Sequence, residues 1–164
     1  MTGLVLTPTI PRSRSAQALA KARGDQGEAV VTMQHQLAAL RGIGHVIKVP
    51  TPTVGRQGAL RFCSRSTVDY YGVLRGGQAV VAECKRVATG RWQRHFVADH
   101  QAAALDQAHH LGALALLLIV YGPQCQLYAV PWYLAREWRG AGPAELADFR
   151  VAMGDCYLAK WVQL

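Results

Sequence analysis

The chain predicts an α/β protein, a mixed central β-sheet flanked by helices, and three observations predict it. An apolar run of 11 residues, Leu111–Tyr121, is too short for a membrane helix and reads as a buried central strand. Two segments rich in Val, Tyr, Leu and Ala, residues 67–74 and 78–85, flank Gly76-Gly77 and read as a β-hairpin. Helical spacing of apolar residues precedes the hairpin, and a second helical segment follows it.

Taken in order, residues 1–14 mix Thr, Pro, Arg and Ser without periodicity and are expected to be a flexible basic arm. Residues 15–164 then form one domain, because 164 residues leave little room for a second core. A helix is expected from near Ser15 to about Leu40, interrupted or kinked around Gly24–Gly27 by the cost of glycine. Its apolar stripe is Ala29, Val30, Met33, Leu37 and Leu40, and Glu28 stands near the start of that segment, by itself an ordinary exposed helix carboxylate. His45–Val49 reads as a strand ended by Pro50 and Pro52. Residues 51–66 carry Arg56, Arg61 and Arg65 with no acidic residue, either a solvated loop or a projection that touches DNA. Beyond the hairpin, Arg86, Arg91 and Arg94 accompany Trp92, a mixture suited to phosphate contact and stacking, with Trp92 equally readable as a hydrophobic anchor for the turn into the next helix. A helix follows at about Phe96–His110, then strands at 112–121 and Gln126–Val130, and a helix starting at Pro131. A short amphipathic helix is expected from about Ala144 to Met153. The apolar end, Tyr157, Leu158, Trp161, Val162 and Leu164, reads as core, with a homodimer interface as the alternative.

Composition narrows the function classes. Eighteen Lys and Arg against ten Asp and Glu give a net charge of +8, which suits a polyanionic partner and salt-sensitive binding. The four cysteines at 63, 84, 125 and 156 lack a Cys-x-x-Cys pair, so neither a zinc module nor a disulfide framework is indicated. The histidines at 95, 100, 109 and 110 fit no common zinc spacing. Neither a secretory signal nor a membrane span is read, and a cytoplasmic protein of a bacterial or virus-infected cell is expected.

The hairpin carries the chemistry. With Arg75, Gly76 and Gly77 as the loop, Leu74 faces Gln78, and counting back places Asp69 directly opposite Glu83. Side chains alternate along a strand, so Asp69, Glu83 and Lys85 then share one face. A two-residue loop would put Asp69 opposite Cys84 and send it to the other face. In the first register, two carboxylates stand side by side among apolar neighbours and call for compensation, most simply by Mg²⁺ together with water and a substrate phosphate. Lys85 is the residue to stabilise phosphate charge or position water; the plainer alternative is an ion pair with Glu83 or Asp69.

Between Arg23 and Gln101 the chain resembles the RecU-type Holliday junction resolvases of the PD-(D/E)xK nuclease superfamily. The likeness rests on Arg23-Gly24-Asp25-Gln26-Gly27-Glu28, Ile47-Lys48-Val49-Pro50-Thr51-Pro52, Ser66-Thr67-Val68-Asp69-Tyr70-Tyr71-Gly72, Glu83-Cys84-Lys85 and His100-Gln101, in the family's order. It implies a restriction-endonuclease-like core and a metal-dependent endodeoxyribonuclease that resolves four-way DNA junctions by paired symmetric nicks. By the same resemblance Asp69, Glu83 and Glu28 are metal ligands for Mg²⁺, with Mn²⁺ as a substitute. Lys85 is the catalytic lysine, and Gln101 lines the site. Residues 51–66 become a short basic stalk, Arg56, Arg61, Arg65, Arg86, Arg91 and Arg94 contact DNA, and branched DNA and a second copy are the partners. Val68 stands where such proteins usually place threonine. The rival readings are a general duplex or flap endonuclease of the same fold and a non-catalytic recombination accessory protein.

Overall fold

The computed structural model describes residues 14–50, 53–54, 61–62 and 67–162, with side chains of the first helix from Gln26 onward. Helix α1 (Arg14–Leu40) leads into β1 (Gly44–Lys48), followed by the two-residue strands β2 (Thr53–Val54) and β3 (Arg61–Phe62) and by the hairpin β4 (Tyr70–Leu74) and β5 (Ala79–Val87). Next come β6 (Trp92–Gln93), α2 (Asp99–His110), β7 (Leu114–Tyr121), β8 (Gln126–Pro131), the single turn α3 (Trp132–Ala135) and β9 (Gly140–Ala141).

Five strands form one sheet in the order β1-β4-β5-β7-β8. The β5–β7 pair is parallel and the other three pairs are antiparallel, so the sheet is mixed as expected. Every residue of Leu114–Val120 is buried, because helices cover both faces at β7. One face packs against α1 and the C-terminal segment, where Val31, Ala38, Leu116, Leu118, Tyr157 and Leu158 meet. The other packs against α2 and α3 through Leu105, Leu117, Ile119, Val130 and Trp132. Within the basic segment, Thr53–Val54 and Arg61–Phe62 pair as an antiparallel ladder.

Three expectations are corrected. Helix α1 is continuous through Gly24–Gly27 and already begins at Arg14, so Glu28 lies in mid-helix rather than near a start. A Cβ on buried Gly27 would stand 3.2 Å from Cδ of Arg86, so glycine here permits the helix to seat closely on β5. The buried stripe of α1 is Gly27, Val31, His35 and Ala38, rotated from the expected one, while Met33 and Leu40 are exposed. Small residues let the helix approach the sheet, and the larger Val30 and Leu37 pack alongside. Residues 144–153 do not make a helix: one 3₁₀ turn, Ala147–Phe149, precedes a return to the sheet. There Arg150 bridges Tyr128, and the Val151 amide donates to the Leu127 carbonyl at 2.9 Å, covering the edge of β8. Tyr157, Leu158 and Val162 are buried in the core, the first of the two roles considered for the apolar end; Leu164 lies outside the described residues, as do residues 1–13 of the arm. No described helix is long and apolar enough to cross a membrane.

Candidate active site

The hairpin turn sets the site. Gly76 and Gly77 have φ of 94° and 91°, values that favour glycine, and the Leu74 amide donates to the Gln78 carbonyl at 2.8 Å. The connection is therefore three residues, and the ladder Tyr70↔Ala82, Tyr71↔Val81, Gly72↔Val80 ends next to Asp69, whose carboxylate lies beside that of Glu83. Asp69 lies one residue before β4 and is pinned between two strands. Its amide donates to Ala82 at 3.2 Å, its carbonyl accepts from Val49 at 2.8 Å, and its Oδ2 accepts the Cys84 amide at 2.9 Å.

Glu83 is 1% exposed, and donors engage only half of its carboxylate. Oε1 accepts from Gln101 Nε2 at 2.5 Å and from Lys85 Nζ at 2.7 Å, whereas no donor reaches buried Oε2, and the Asp69 carboxylate lies within hydrogen-bonding range of Glu83. Burial and the adjacent Asp69 carboxylate push the Glu83 pKa up to about 7 against the pull of Lys85. Gln101 ties the cluster to α2: its Oε1 accepts from Lys85 Nζ at 3.0 Å and from the Ala98 amide, just before the helix, at 3.1 Å. Asp69, Glu83, Lys85 and Gln101 thus converge through bonds made by two strands and one helix.

Glu28 reaches the same neighbourhood from the other face of the sheet. Its charge acts on Tyr70 and Cys84, and its carboxylate is engaged by Lys48, both side chains being about half exposed. Lys48 was not among the expected site residues, although it sits within the Lys-x-Pro-Thr-Pro motif that signals this segment.

Among the arginines, Arg86 donates to the carbonyls of Val87 and Val120 at 3.2 and 3.1 Å. Arg91 pairs with Glu145 at 2.6 Å, and Arg94 bonds the Val97 carbonyl and lies 5.0 Å over the Trp132 ring. Arg56 and Arg65 lie outside the described residues, and Arg61 is described only as backbone in β3. His109, one of the four histidines weighed for zinc, stacks on Tyr133 with centroids 5.6 Å apart.

Among the described residues no three His, Cys, Asp or Glu side chains gather at one point. The donor set nonetheless fits a hard divalent cation. Two carboxylates, Asp69 and Glu83, lie side by side, and Glu83 presents a buried oxygen with no donor against it, which suits an ion that completes its shell with water and phosphate.

Fold and site together define a mixed α/β protein with an acid, acid, lysine and amide cluster on its central hairpin. The family model for RecU, recombination protein U, matches residues 22–146, and the chain belongs to that family. Among solved structures, the Hjc Holliday junction resolvase of Archaeoglobus fulgidus, an archaeal hyperthermophile, aligns with a TM-score of 0.48 and 11% identity over 82% of this chain and 95% of that one. No curated protein matches the chain.

Proposed function

We propose that the protein is a divalent-metal-dependent endodeoxyribonuclease that resolves four-way DNA junctions by paired symmetric nicks. The observation that carries this reading is Glu83: buried, beside Asp69, held on one oxygen by Lys85 and Gln101, and without a donor on the other. Membership of the recombination protein U family supports the same substrate class.

In this reading Asp69 and Glu83 hold the cation, Mg²⁺ with Mn²⁺ as a substitute, and Glu28 adds negative charge from α1. The bound ion supplies an acidified water and neutralises charge on the phosphate. Asp69 is oriented by the Cys84 amide, so its carboxylate has a fixed direction beside Glu83. Lys85 stays next to Glu83 and presents a cation where negative charge grows on the phosphate during in-line attack. Gln101 holds both Lys85 and Glu83, keeping their separation fixed while DNA enters. Arg56, Arg61 and Arg65 of the stalk, with Arg86, Arg91 and Arg94, supply positive charge toward DNA; Arg91 and Arg94 must release or share their present partners to do so. Two symmetric cuts require two sites, so the active form is a homodimer. A location in the cytoplasm of a bacterial or virus-infected cell follows from the substrate.

Incubation of the protein with a synthetic four-way junction, the matching duplex and a flap, with Mg²⁺ or EDTA, tests this. Paired nicks on the junction alone, lost in EDTA, are expected. Metal-dependent cutting of every substrate makes it a general nuclease, and tight binding without cutting in any divalent metal makes it an accessory protein.

A further inference from the structure

Three cations from three segments line one cavity of about 430 Å³: Arg41 just after α1, Arg150 beyond the 3₁₀ turn, and Lys160 near the C-terminus. Each keeps most of its donors free. Arg41 gives one hydrogen bond to the Gly154 carbonyl at 3.0 Å, and Arg150 gives its Nε to Gln126 Oε1 at 3.0 Å. Lys160 lies 5.0 Å over the Trp161 ring, and among the described residues no hydrogen bond or ion pair reaches its ammonium. Asp155 is the one acidic residue in the lining, and it forms an ion pair with none of the three. Among the other described cations, Arg91, Arg136, Lys48 and Lys85 have carboxylate partners, Arg86 and Arg94 bond backbone carbonyls, and Arg75 and Arg139 form no ion pair among the described residues. Uncompensated like charges around one concavity repel one another, and an anion with several acceptor oxygens relieves that repulsion. Two guanidinium forks beside an ammonium match a phosphodiester, which offers paired oxygens.

The place of Arg150 in the sheet gives the scale. It bridges Tyr128, which pairs with Ile119, which in turn pairs with Lys85. Three inter-strand steps of about 4.8 Å put its backbone about 14 Å from that of Lys85. At about 3.4 Å per nucleotide along one strand, that is about four nucleotides from the cluster.

We propose that Arg41, Arg150 and Lys160 form an accessory site that grips the phosphodiester backbone of a DNA arm, remote from the catalytic cluster. This rests on the nuclease reading for its ligand, although binding tests it without any cutting. The direct experiment measures the affinity of an Asp69→Asn protein for a labelled four-way junction across a salt series, with and without the triple change Arg41→Ala, Arg150→Ala and Lys160→Ala. The expected result is about tenfold weaker binding near 0.15 M salt and a salt slope smaller by about 1 to 2, since each lost phosphate contact removes about 0.9. Asp155→Asn is expected to tighten binding, and Arg136→Ala, which removes a cation held by Asp106 and Glu137, to leave the slope as it was. An unchanged affinity and slope in the folded triple variant overturns the proposal. So does weakened binding of polyglutamate with DNA binding intact, which would indicate an acidic protein partner instead. If the triple variant does not fold, Lys160→Gln and Arg41→Gln make the same comparison singly, with a reduced slope in support and an identical slope against. A wild-type protein that binds through these residues but cuts nothing refutes the nuclease reading alone.

Discussion

Among the described residues, one face of the sheet buries a histidine and the other a carboxylate, and the two faces treat the buried group differently. On the α1 face, His35 is 6% exposed, its Nε2 lies 2.7 Å from the Tyr157 hydroxyl, and its ring packs edge-on to Tyr70. On the α2 face, Glu83 is as deeply buried but keeps one oxygen without a donor beside a second carboxylate. Burial depresses the His35 pKa to about 4, so the neutral ring fits its site. Burial raises that of Glu83 to about 7, so the charged form that the proposed cation would need is the one the fold disfavours. A neutral buried ring with a hydrogen-bond partner is self-sufficient, whereas a buried carboxylate oxygen without a donor, beside a second carboxylate, calls for compensation.

The largest expected effect breaks the contrast outright. Glu83→Gln removes the metal-holding charge and should lower junction cleavage by about a thousandfold or more, with junction binding retained. Asp69→Asn should do the same, and undiminished cutting by both variants in a nicking assay would refute the site. Next in size is Gln101→Ala. It leaves the carboxylates in place but releases Lys85 and Glu83, and a loss of about 10- to 100-fold in rate is expected from the loosened support. Rescue by raised metal concentration would separate weaker metal holding from misplacement of Lys85.

Stability against pH sharpens the comparison, because the two groups act in opposite directions. The folded His35 pKa lies below its usual 6.5, so its contribution is complete above that value and is lost as pH falls toward 4. The folded Glu83 pKa lies above its usual 4.5, so it favours folding at low pH and opposes it increasingly as pH rises to about 7. Each spans on the order of 3 kcal/mol. Urea melts without metal should therefore show Glu83→Gln gaining on wild type from pH 5 to 7.5, and added Mg²⁺ should narrow that gap. A constant difference across that range would contradict the environment assigned to Glu83. The smallest effect is Tyr157→Phe, which leaves the His35 ring without its partner and should cost about 1 to 2 kcal/mol in the same melts, with cleavage unchanged.

The hairpin was legible because Gly76-Gly77 marks the turn and strand alternation does the rest: the three-residue loop was one of two registers considered, and the structure has it. Strand β7 was legible from its unbroken apolar run, apart from two residues at its start. The buried face of α1 was not, because Gly27 and Ala38 carry too little hydrophobicity to announce contact, and His35 announces polarity. Their role is fixed by Arg86, Tyr157 and the sheet, which are remote in sequence. The stretch 144–153 misled for a related reason: Val151 finds its backbone partner on Leu127, and no local pattern foretells an edge strand waiting there. Gln101 came only from the family resemblance, since an amide at the start of a helix is ordinary in isolation. The cavity of Arg41, Arg150 and Lys160 left no local trace, because its members are joined only by the fold.

The Ala98 amide has no helical acceptor of its own and depends on the Gln101 side chain that also holds Lys85. Its hydrogen exchange is therefore a built-in gauge of the cluster: any DNA or ion that draws Gln101 away should expose this one amide to solvent, and spectroscopy at a single backbone position can follow the site being loaded without a label on either partner.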